Sequence, residues 1–284
     1  MFPEKFEYHV PGSLQEATKL LGQYGDEAKV ITGGMSLIPL MKLRLAAPKH
    51  LVDLRKLSDL VGVKEAGGRL VIGARTTYDE LSRNKTVAAS CRLLAQTAAA
   101  VGDVQVRNRG TIGGALVHAD PAADLPAAAL ALDAELTLQG RKTRTVKVAD
   151  FIVDSLATAI EPEEVLVSIS VPATGKHTAY CKLAQQASGF ALVGVAVVLE
   201  LDGKTCRAAR IGVTGVSPKA FRATAVEKAL AGKALDAAGI KAAAEKIAAD
   251  IKHPLEDPLN GSARYRIQMA KVYTARAIQQ ALAG

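Results

Sequence analysis

Two segments with adjacent glycines constrain this chain most. The first is "VITGGMSLIP" (residues 30–39), and the second is "NRGTIGGALVHADPAADLP" (108–126). Each places hydroxyl side chains beside its glycine pair. Glycine lets backbone N–H groups crowd around an anion, and hydroxyls add further donors. Each segment alone is better explained as a tight turn. Two such segments with matching hydroxyls, facing each other, make a diphosphate site as good an explanation as two tight turns.

The surrounding pattern predicts the local structure of both segments. The first follows a short strand, residues 28–32, and precedes a helix that Ser36 can cap, which would aim the positive helix end at the same place. The second is predicted as open, exposed backbone. After it, Asp124 is expected to cap a helix with Pro126 in its first turn. Residues 86–101 are predicted to form one alanine-rich helix.

Composition excludes several classes of protein. The net charge is +8, but the basic residues are dispersed and aromatic residues make up only 4%. Base-stacking platforms need aromatics beside a positive groove, so we expect no nucleic-acid binding. The three cysteines, at positions 91, 181 and 206, have no paired spacing, which predicts neither disulfides nor an iron–sulfur cluster. Isolated thiols favour a cytoplasmic protein, and no run of residues is apolar enough to predict a membrane span.

Several nucleotide and metal motifs are missing. No two glycines stand two residues apart, so the dinucleotide fingerprint GxGxxG is absent. The five histidines have neither HxH nor HxxxH spacing, and we predict no metal site. His118, Asp120 and Asp124 lie close enough in sequence to form a ligand trio, but the adjacent Pro121 and a helix cap explain the two aspartates more simply.

The composition changes near residues 172–177. Before this point, strand and helix patterns alternate. After it come three strand patterns and then three helix patterns, which predict an antiparallel sheet with helices to one side.

Both glycine segments, with the residues around them, resemble the two flavin loops of the FAD-binding medium subunits of molybdenum hydroxylases. This is the family of bacterial carbon monoxide dehydrogenase, quinoline oxidoreductase and the flavin domain of xanthine dehydrogenase. "YCKLAQQASGFALVGVAVVL" (180–199) resembles the start of that family's C-terminal domain. The resemblance implies an α+β fold: two α/β FAD-binding subdomains (about 1–57 and 58–174, together 1–174) followed by a three-stranded antiparallel sheet flanked by helices (175–284).

The resemblance also implies which residues hold the cofactor. Both glycine segments would wrap the FAD diphosphate, His118 and Asp124 would reach its ribityl or adenosine part, and Lys182 would lie near the flavin ring. Gly189-Phe190 replaces an Asp-Tyr pair that many relatives carry, which leaves the role of Phe190 open. The implied cofactor-binding residues are Thr32, Gly33, Gly34, Met35, Ser36, Thr111, Ile112, Gly113, Gly114, Ala115, His118, Asp124, Leu166 and Lys182.

The implied function is electron transfer. Electrons would come from a large subunit with the molybdenum cofactor, through a small subunit with [2Fe–2S] clusters, to FAD here and then to an external acceptor. A dimer of heterotrimers is implied, cytoplasmic or docked at the inner face of the membrane. A self-sufficient FAD oxidase and a flavin-less scaffold are the alternatives. The substrate (carbon monoxide, an aldehyde, a purine or an N-heterocycle), the acceptor (quinone, NAD or oxygen) and the roles of Arg107 and Arg109 stay open.

Overall fold

The computed structural model describes residues 2–284 and contains four sheets. The strands are β1 (Glu7–His9), β2 (Ala28–Ile31), β3 (His50–Asp53), β4 (Val63–Ala66), β5 (Arg69–Gly73), β6 (Glu135–Gln139), β7 (Thr143–Lys147), β8 (Ile152–Asp154), β9 (Ala157–Thr158), β10 (Val165–Pro172), β11 (Thr178–Ala184), β12 (Ala191–Asp202), β13 (Thr205–Thr214) and β14 (Phe221–Arg222). The α-helices are α1 (Leu14–Tyr24), α2 (Leu37–Lys42), α3 (Tyr78–Arg83), α4 (Lys85–Ser90), α5 (Arg92–Ala99), α6 (Val104–Arg109), α7 (Ile112–His118), α8 (Leu125–Ala131), α9 (Val148–Phe151), α10 (Thr224–Leu230), α11 (Ala237–Glu245) and α12 (Ala263–Ala283).

The chain begins with a small parallel sheet in the order β1-β3-β2. Parallel neighbours need a crossover, and α1 and α2 supply it. Ser13 starts α1 by accepting the N–H of Glu16 at 3.1 Å, and Gly25 ends the helix with a φ of +52°. The sequence predicts a helix over residues 13–24, because serine commonly caps the start of a helix and glycine commonly ends one, and both observed boundaries agree with it.

The middle of the chain forms an antiparallel sheet in the order β4-β5-β10-β6-β7. Its strand β10 serves two cores at once. Val165 packs with Leu21 and Val52 beneath the small parallel sheet. Leu166 and Ile169 belong instead to the core formed with the helices of the middle region, and a register shift lies between Leu166 and Ser168.

The C-terminal region is an antiparallel sheet in the order β11-β12-β13-β14, with α10, α11 and α12 packed on one face. Helix α8 lies against the other face, and every one of its residues is buried. This close packing requires Gly212 on β13, because a Cβ atom there would overlap the carbonyl oxygen of Ala127. The expected mixed fold with its C-terminal antiparallel sheet is confirmed, and the two-residue strand β14 adds a fourth strand to the expected three.

Two local expectations are wrong. The predicted single helix over residues 86–101 is divided into α4 and α5 at Cys91, whose backbone leaves the helical region. The segment 108–126, predicted as open backbone, contains helix α7 and the end of α6. Its glycine pair therefore lies in the first turn of helix α7, where Gly113 lets the helix pack against Ala74.

Candidate functional site

A cavity of about 590 Å³ lies where the small parallel sheet meets the middle region, and both glycine segments line it. This volume is within the range of small-molecule and cofactor sites. The first glycine segment enters at the end of β2, the second at the start of α7, and β10 and the β8–β9 hairpin complete the wall. Of the residues implied by resemblance, those lining the cavity are Thr32, Gly33, Gly34, Met35, Ser36, Thr111, Gly113, Gly114, Ala115, His118 and Leu166.

The first segment lines this cavity and carries unpaired backbone donors. No atom among residues 2–284 accepts a hydrogen bond from the N–H groups of Gly33, Gly34, Met35 or Ser36. The Ser36 hydroxyl also makes no capping bond to helix α2. Four successive donors without protein partners need water or a ligand. A concave run of backbone N–H groups is the usual protein cradle for a phosphate.

The two segments contact each other directly. The hydroxyls of Thr32 and Thr111 are 2.9 Å apart and hydrogen-bond across 79 residues of sequence. A Cβ atom at Gly33 would overlap the carbonyl oxygen of Arg109, so only glycine permits this approach. Gly34 has a φ of +75°, a conformation that favours glycine.

The second segment contributes hydroxyl chemistry rather than free N–H groups. Thr111 caps α7 by accepting the N–H of Gly114 at 3.1 Å. The N–H groups of Ile112 and Gly113 donate to the carbonyls of Thr76 and Ala74. The N–H of Gly113 is therefore not available to an anion, whereas the N–H groups of the first glycine pair have no protein acceptor.

The glycines of the second segment have two different purposes. A Cβ atom at Gly113 would lie 2.6 Å from the carbonyl oxygen of Ala74, so this glycine lets α7 pack against the end of β5. A Cβ atom at Gly114 would lie 2.9 Å from the Thr111 hydroxyl and 3.5 Å from the Thr32 hydroxyl. Only the second glycine keeps space open beside the paired hydroxyls.

One charged residue that the sequence did not predict also belongs to this cavity. Arg75 follows β5 and lines the cavity. Its Nη1 donates to the carbonyl of Leu57 at 2.8 Å, while its buried Nε has no partner in the described chain. Burial lowers the pKa of this guanidinium, yet arginine stays charged in proteins. The sequence carried no signal for it, because its position depends on how β5 meets the cavity.

Two families match the sequence nearly end to end. Residues 4–174 match the FAD binding domain in molybdopterin dehydrogenase, and residues 178–281 match the CO dehydrogenase flavoprotein C-terminal domain. The chain belongs to the FAD-binding medium subunits of molybdenum hydroxylases.

Individual proteins of known identity agree over the full length. The chain is 42% identical to the carbon monoxide dehydrogenase medium chain of Hydrogenophaga pseudoflava, with 100% of this chain and 99% of the relative covered. It is 41% identical, at the same coverage, to the corresponding chain of Afipia carboxidovorans. A solved carbon monoxide dehydrogenase structure from Hydrogenophaga pseudoflava superposes with a TM-score of 0.95 at 44% identity, covering 100% of this chain and 99% of that chain.

Three implied FAD-binding residues lie outside the cavity wall of this medium subunit. Ile112 is 1% exposed and packs in the core. Asp124 and Lys182 bind each other, with Lys182 Nζ 2.9 Å from the Asp124 carboxylate and 2.9 Å from the carbonyl oxygen of Ala100. Tyr180 donates to the same carboxylate at 2.5 Å. These residues form a buried polar cluster, named here the Asp124 cluster.

The expected capping of α8 by the Asp124 side chain is wrong. Asp124 precedes α8, but its side chain makes no capping bond because Lys182 and Tyr180 occupy the carboxylate. Burial raises the pKa of Asp124, opposed by the charge of Lys182 and the hydrogen bonds of the cluster. Burial and the neighbouring carboxylate raise the pKa of Tyr180 well above its ordinary value. The trio of His118, Asp120 and Asp124 is not assembled, because this cluster holds Asp124.

Arg107, Arg109 and Phe190 now have positions. The Arg107 guanidinium donates to the carbonyls of Val101 and Gly102, just past the end of α5, so it stabilises a turn. The backbone carbonyl of Arg109 lies against Gly33. Phe190 lies half exposed in the tight β11–β12 connection, beside Gly189 with its φ of +72°. No helix in residues 2–284 is both long and apolar enough to cross a bilayer.

Proposed function

We propose that this chain binds FAD in the 590 Å³ cavity and passes electrons from [2Fe–2S] clusters of a small partner subunit to an external acceptor. Those electrons originate in a substrate oxidised at the molybdenum cofactor of a large partner subunit. The observation that carries the proposal is the row of four unpartnered N–H groups at Gly33–Ser36, on residues that line a cavity of cofactor size.

The diphosphate of FAD fits the donors on the first glycine segment. The N–H groups of residues 33–36 would each donate to a phosphate oxygen, and the Ser36 hydroxyl adds one donor. The Thr32 and Thr111 hydroxyls share a single hydrogen bond, which leaves one hydroxyl proton available to the ligand. Arg75 supplies positive charge with an unused Nε–H. A dianionic group thus meets donors and charge of the right sign.

Other residues of the cavity would orient the rest of the cofactor. Leu166 offers an apolar surface on β10, and the His118 side chain, about one quarter exposed, lies at the end of α7. FAD supplies the redox chemistry, whereas the chain binds and orients it. Lys182 was expected near the flavin ring, and its bond to Asp124 suggests that it acts there indirectly, by fixing the loop before α8.

The iron–sulfur clusters would belong to a partner. A cluster needs about four thiolates close together, and Cys91 between α4 and α5, Cys181 on β11 and Cys206 on β13 are all free thiols. Apolar side chains exposed on the first 45 residues provide a surface for such a partner; they are Phe2, Phe6, Tyr8, Met35, Ile38, Leu43 and Leu45.

We also propose the organisation of chain and complex. Residues 1–174 would form the FAD-binding part, with subdomains of about 1–57 and 58–174, and residues 175–284 the C-terminal part. The matches to two families over 4–174 and 178–281 support this division. This chain and its two partner subunits would form a dimer of heterotrimers, in the cytoplasm or at the inner face of the membrane, as the family resemblance implies.

FAD titration of the purified chain tests the proposal. Thr111→Ala removes the hydroxyl that meets Thr32, and we expect FAD affinity to fall more than about tenfold, the value of a hydrogen bond to a charged group. Ser13→Ala is the matched control, because Ser13 also accepts one capping N–H at 3.1 Å but lies on α1, away from the cavity lining. Equal FAD affinity in both variants would contradict the placement.

Purification with native partners separates this function from its alternatives. We expect a complex containing molybdenum, iron and FAD, in which reduced FAD appears only when substrate is added to the whole complex. Turnover of an alcohol or aldehyde by this chain alone would favour the oxidase. A chain without flavin absorbance after incubation with FAD would favour the scaffold.

A further inference from the structure

A second group of potential ligands lies on the small parallel sheet. Glu7 and His9 stand on one face of β1, two residues apart, and His50 begins the neighbouring strand β3. The parallel register places Glu7 directly opposite His50. One ligand atom from each side chain lies within 4.8 Å of the other two. The cavity wall contains none of these three residues.

The spacing of these ligand atoms matches a coordination face. His9 Nε2 and His50 Nδ1 are 3.2 Å apart. A carboxylate oxygen of Glu7 is 3.5 Å from His50 Nδ1 and 3.9 Å from His9 Nε2. Nitrogen ligands at about 2.0–2.1 Å from a tetrahedral Zn²⁺ ion lie about 3.3 Å from each other. The histidine pair already has this separation, and a small rotation of Glu7 closes the triangle.

The surrounding residues hold the imidazoles while leaving the carboxylate adjustable. The ring of Tyr24 stacks on His50 with centroids 3.6 Å apart and an angle of 11° between planes. His9 lies 5.3 Å from the same ring. The side chain of Glu7 is 71% exposed, so it can move toward an ion, and solvent can reach the remaining coordination positions.

We propose that Glu7, His9 and His50 bind one divalent transition-metal ion, with Zn²⁺ as the best match. Two imidazole nitrogens and one carboxylate oxygen are ligands that zinc accepts, with water in the fourth position. His9 binds through Nε2 and His50 through Nδ1, each in its neutral form. The ion joins β1 to β3, where β1 otherwise has only one neighbouring strand of three paired residues.

Isothermal titration of ZnSO₄ into the chelator-treated full chain tests this site. We expect one saturable site, together with a rise in melting temperature that MgSO₄ does not reproduce. Loss of an outer-shell partner already weakens metal binding about 10–100-fold, so loss of a ligand in His9→Gln or Glu7→Gln should weaken it more than about 100-fold. His253→Gln removes an exposed histidine elsewhere and should leave the affinity unchanged.

Two outcomes overturn the proposal. Wild-type protein without saturable zinc binding leaves only a hydrogen bond between the two histidines, and unchanged affinity in both ligand variants places the zinc elsewhere. Glu7 is too exposed for its glutamine variant to disturb folding. Zinc-edge X-ray absorption of the wild-type protein adds an independent reading, with two imidazoles expected in the first shell. FAD affinity should be the same in Glu7→Gln and wild type, which separates this site from the flavin site.

Discussion

Lys182→Met should destabilise the chain because it leaves a buried carboxylate without its cation. The Lys182 side chain is 8% exposed and that of Asp124 only 4%, so solvent cannot replace the lost charge. Removing one partner of such a pair costs about 3–5 kcal/mol. At roughly 2–4 °C per kcal/mol, the value for chains slightly shorter than this one, the melting temperature should fall by roughly 6–20 °C. Methionine has a similar length, so a cavity contributes little.

The double variant Asp124→Asn/Lys182→Met isolates the charge effect. It removes both charges while keeping a side-chain oxygen for Tyr180, and it should be more stable than Lys182→Met alone. Thermal unfolding followed by circular dichroism measures all three proteins. A cost below about 1 kcal/mol for Lys182→Met, or a double variant no more stable than the single one, would contradict this charge effect.

The stability of Lys182→Met relative to wild type should depend on pH in a defined direction. Burial raises the folded-state pKa of Asp124, above its unfolded value of about 3.9. The protonated carboxyl is then favoured by folding. This contribution is complete below the unfolded pKa and is lost as pH rises through the folded pKa. Relative to wild type, Lys182→Met should therefore lose less stability at about pH 4.5 than at about pH 7.5.

Three further outcomes are expected. Gly212→Ala forces helix α8 away from β13 and should lower the melting temperature strongly, while Gly175→Ala, with nothing within 4 Å of the added atom, should not. Cys91, buried and with its pKa raised to about 11, should resist alkylation near neutral pH until the protein unfolds, as mass spectrometry can measure. Arg144 lowers the pKa of Glu164 against the burial that would raise it; this stabilises the fold above the unfolded pKa and is lost as pH falls through the folded one. Arg144→Gln should therefore reduce urea stability near neutral pH by about 1–3 kcal/mol, and less in acid.

Local signals in the sequence predicted the structural features that depend on interactions between neighbouring residues. Ser13 and Gly25 delimited α1, and the strand before Gly33 predicted a loop at the end of a buried strand. The predicted strand–loop–helix conformation of the first glycine segment is confirmed. Its free amides follow from this conformation, because residues between a strand and a helix lack the regular hydrogen bonds of either element. Family resemblance then named the cofactor, which the residues alone limited to an anion.

Long-range contacts decided what the sequence could not predict. Gly113 lies in a segment whose composition is typical of a loop, but it lets helix α7 pack against Ala74, 39 positions earlier. Asp124 stands where a helix cap is expected, but its carboxylate binds Lys182, 58 positions later in the sequence, and makes no capping bond. His9 and His50 have no motif spacing, since two strands paired across 41 positions bring them together. In each case the deciding partner is distant in sequence.

Strand β10 has a consequence for how this protein unfolds. Val165 covers the core beneath the parallel sheet, while its neighbour Leu166 belongs to the core of the middle region and also lines the cavity. Neither hydrophobic core is complete without this strand, so a fragment ending near residue 57 lacks part of its own interior. The first 174 residues should therefore melt in one cooperative transition, and hydrogen exchange should report a common opening free energy on both sides of β10.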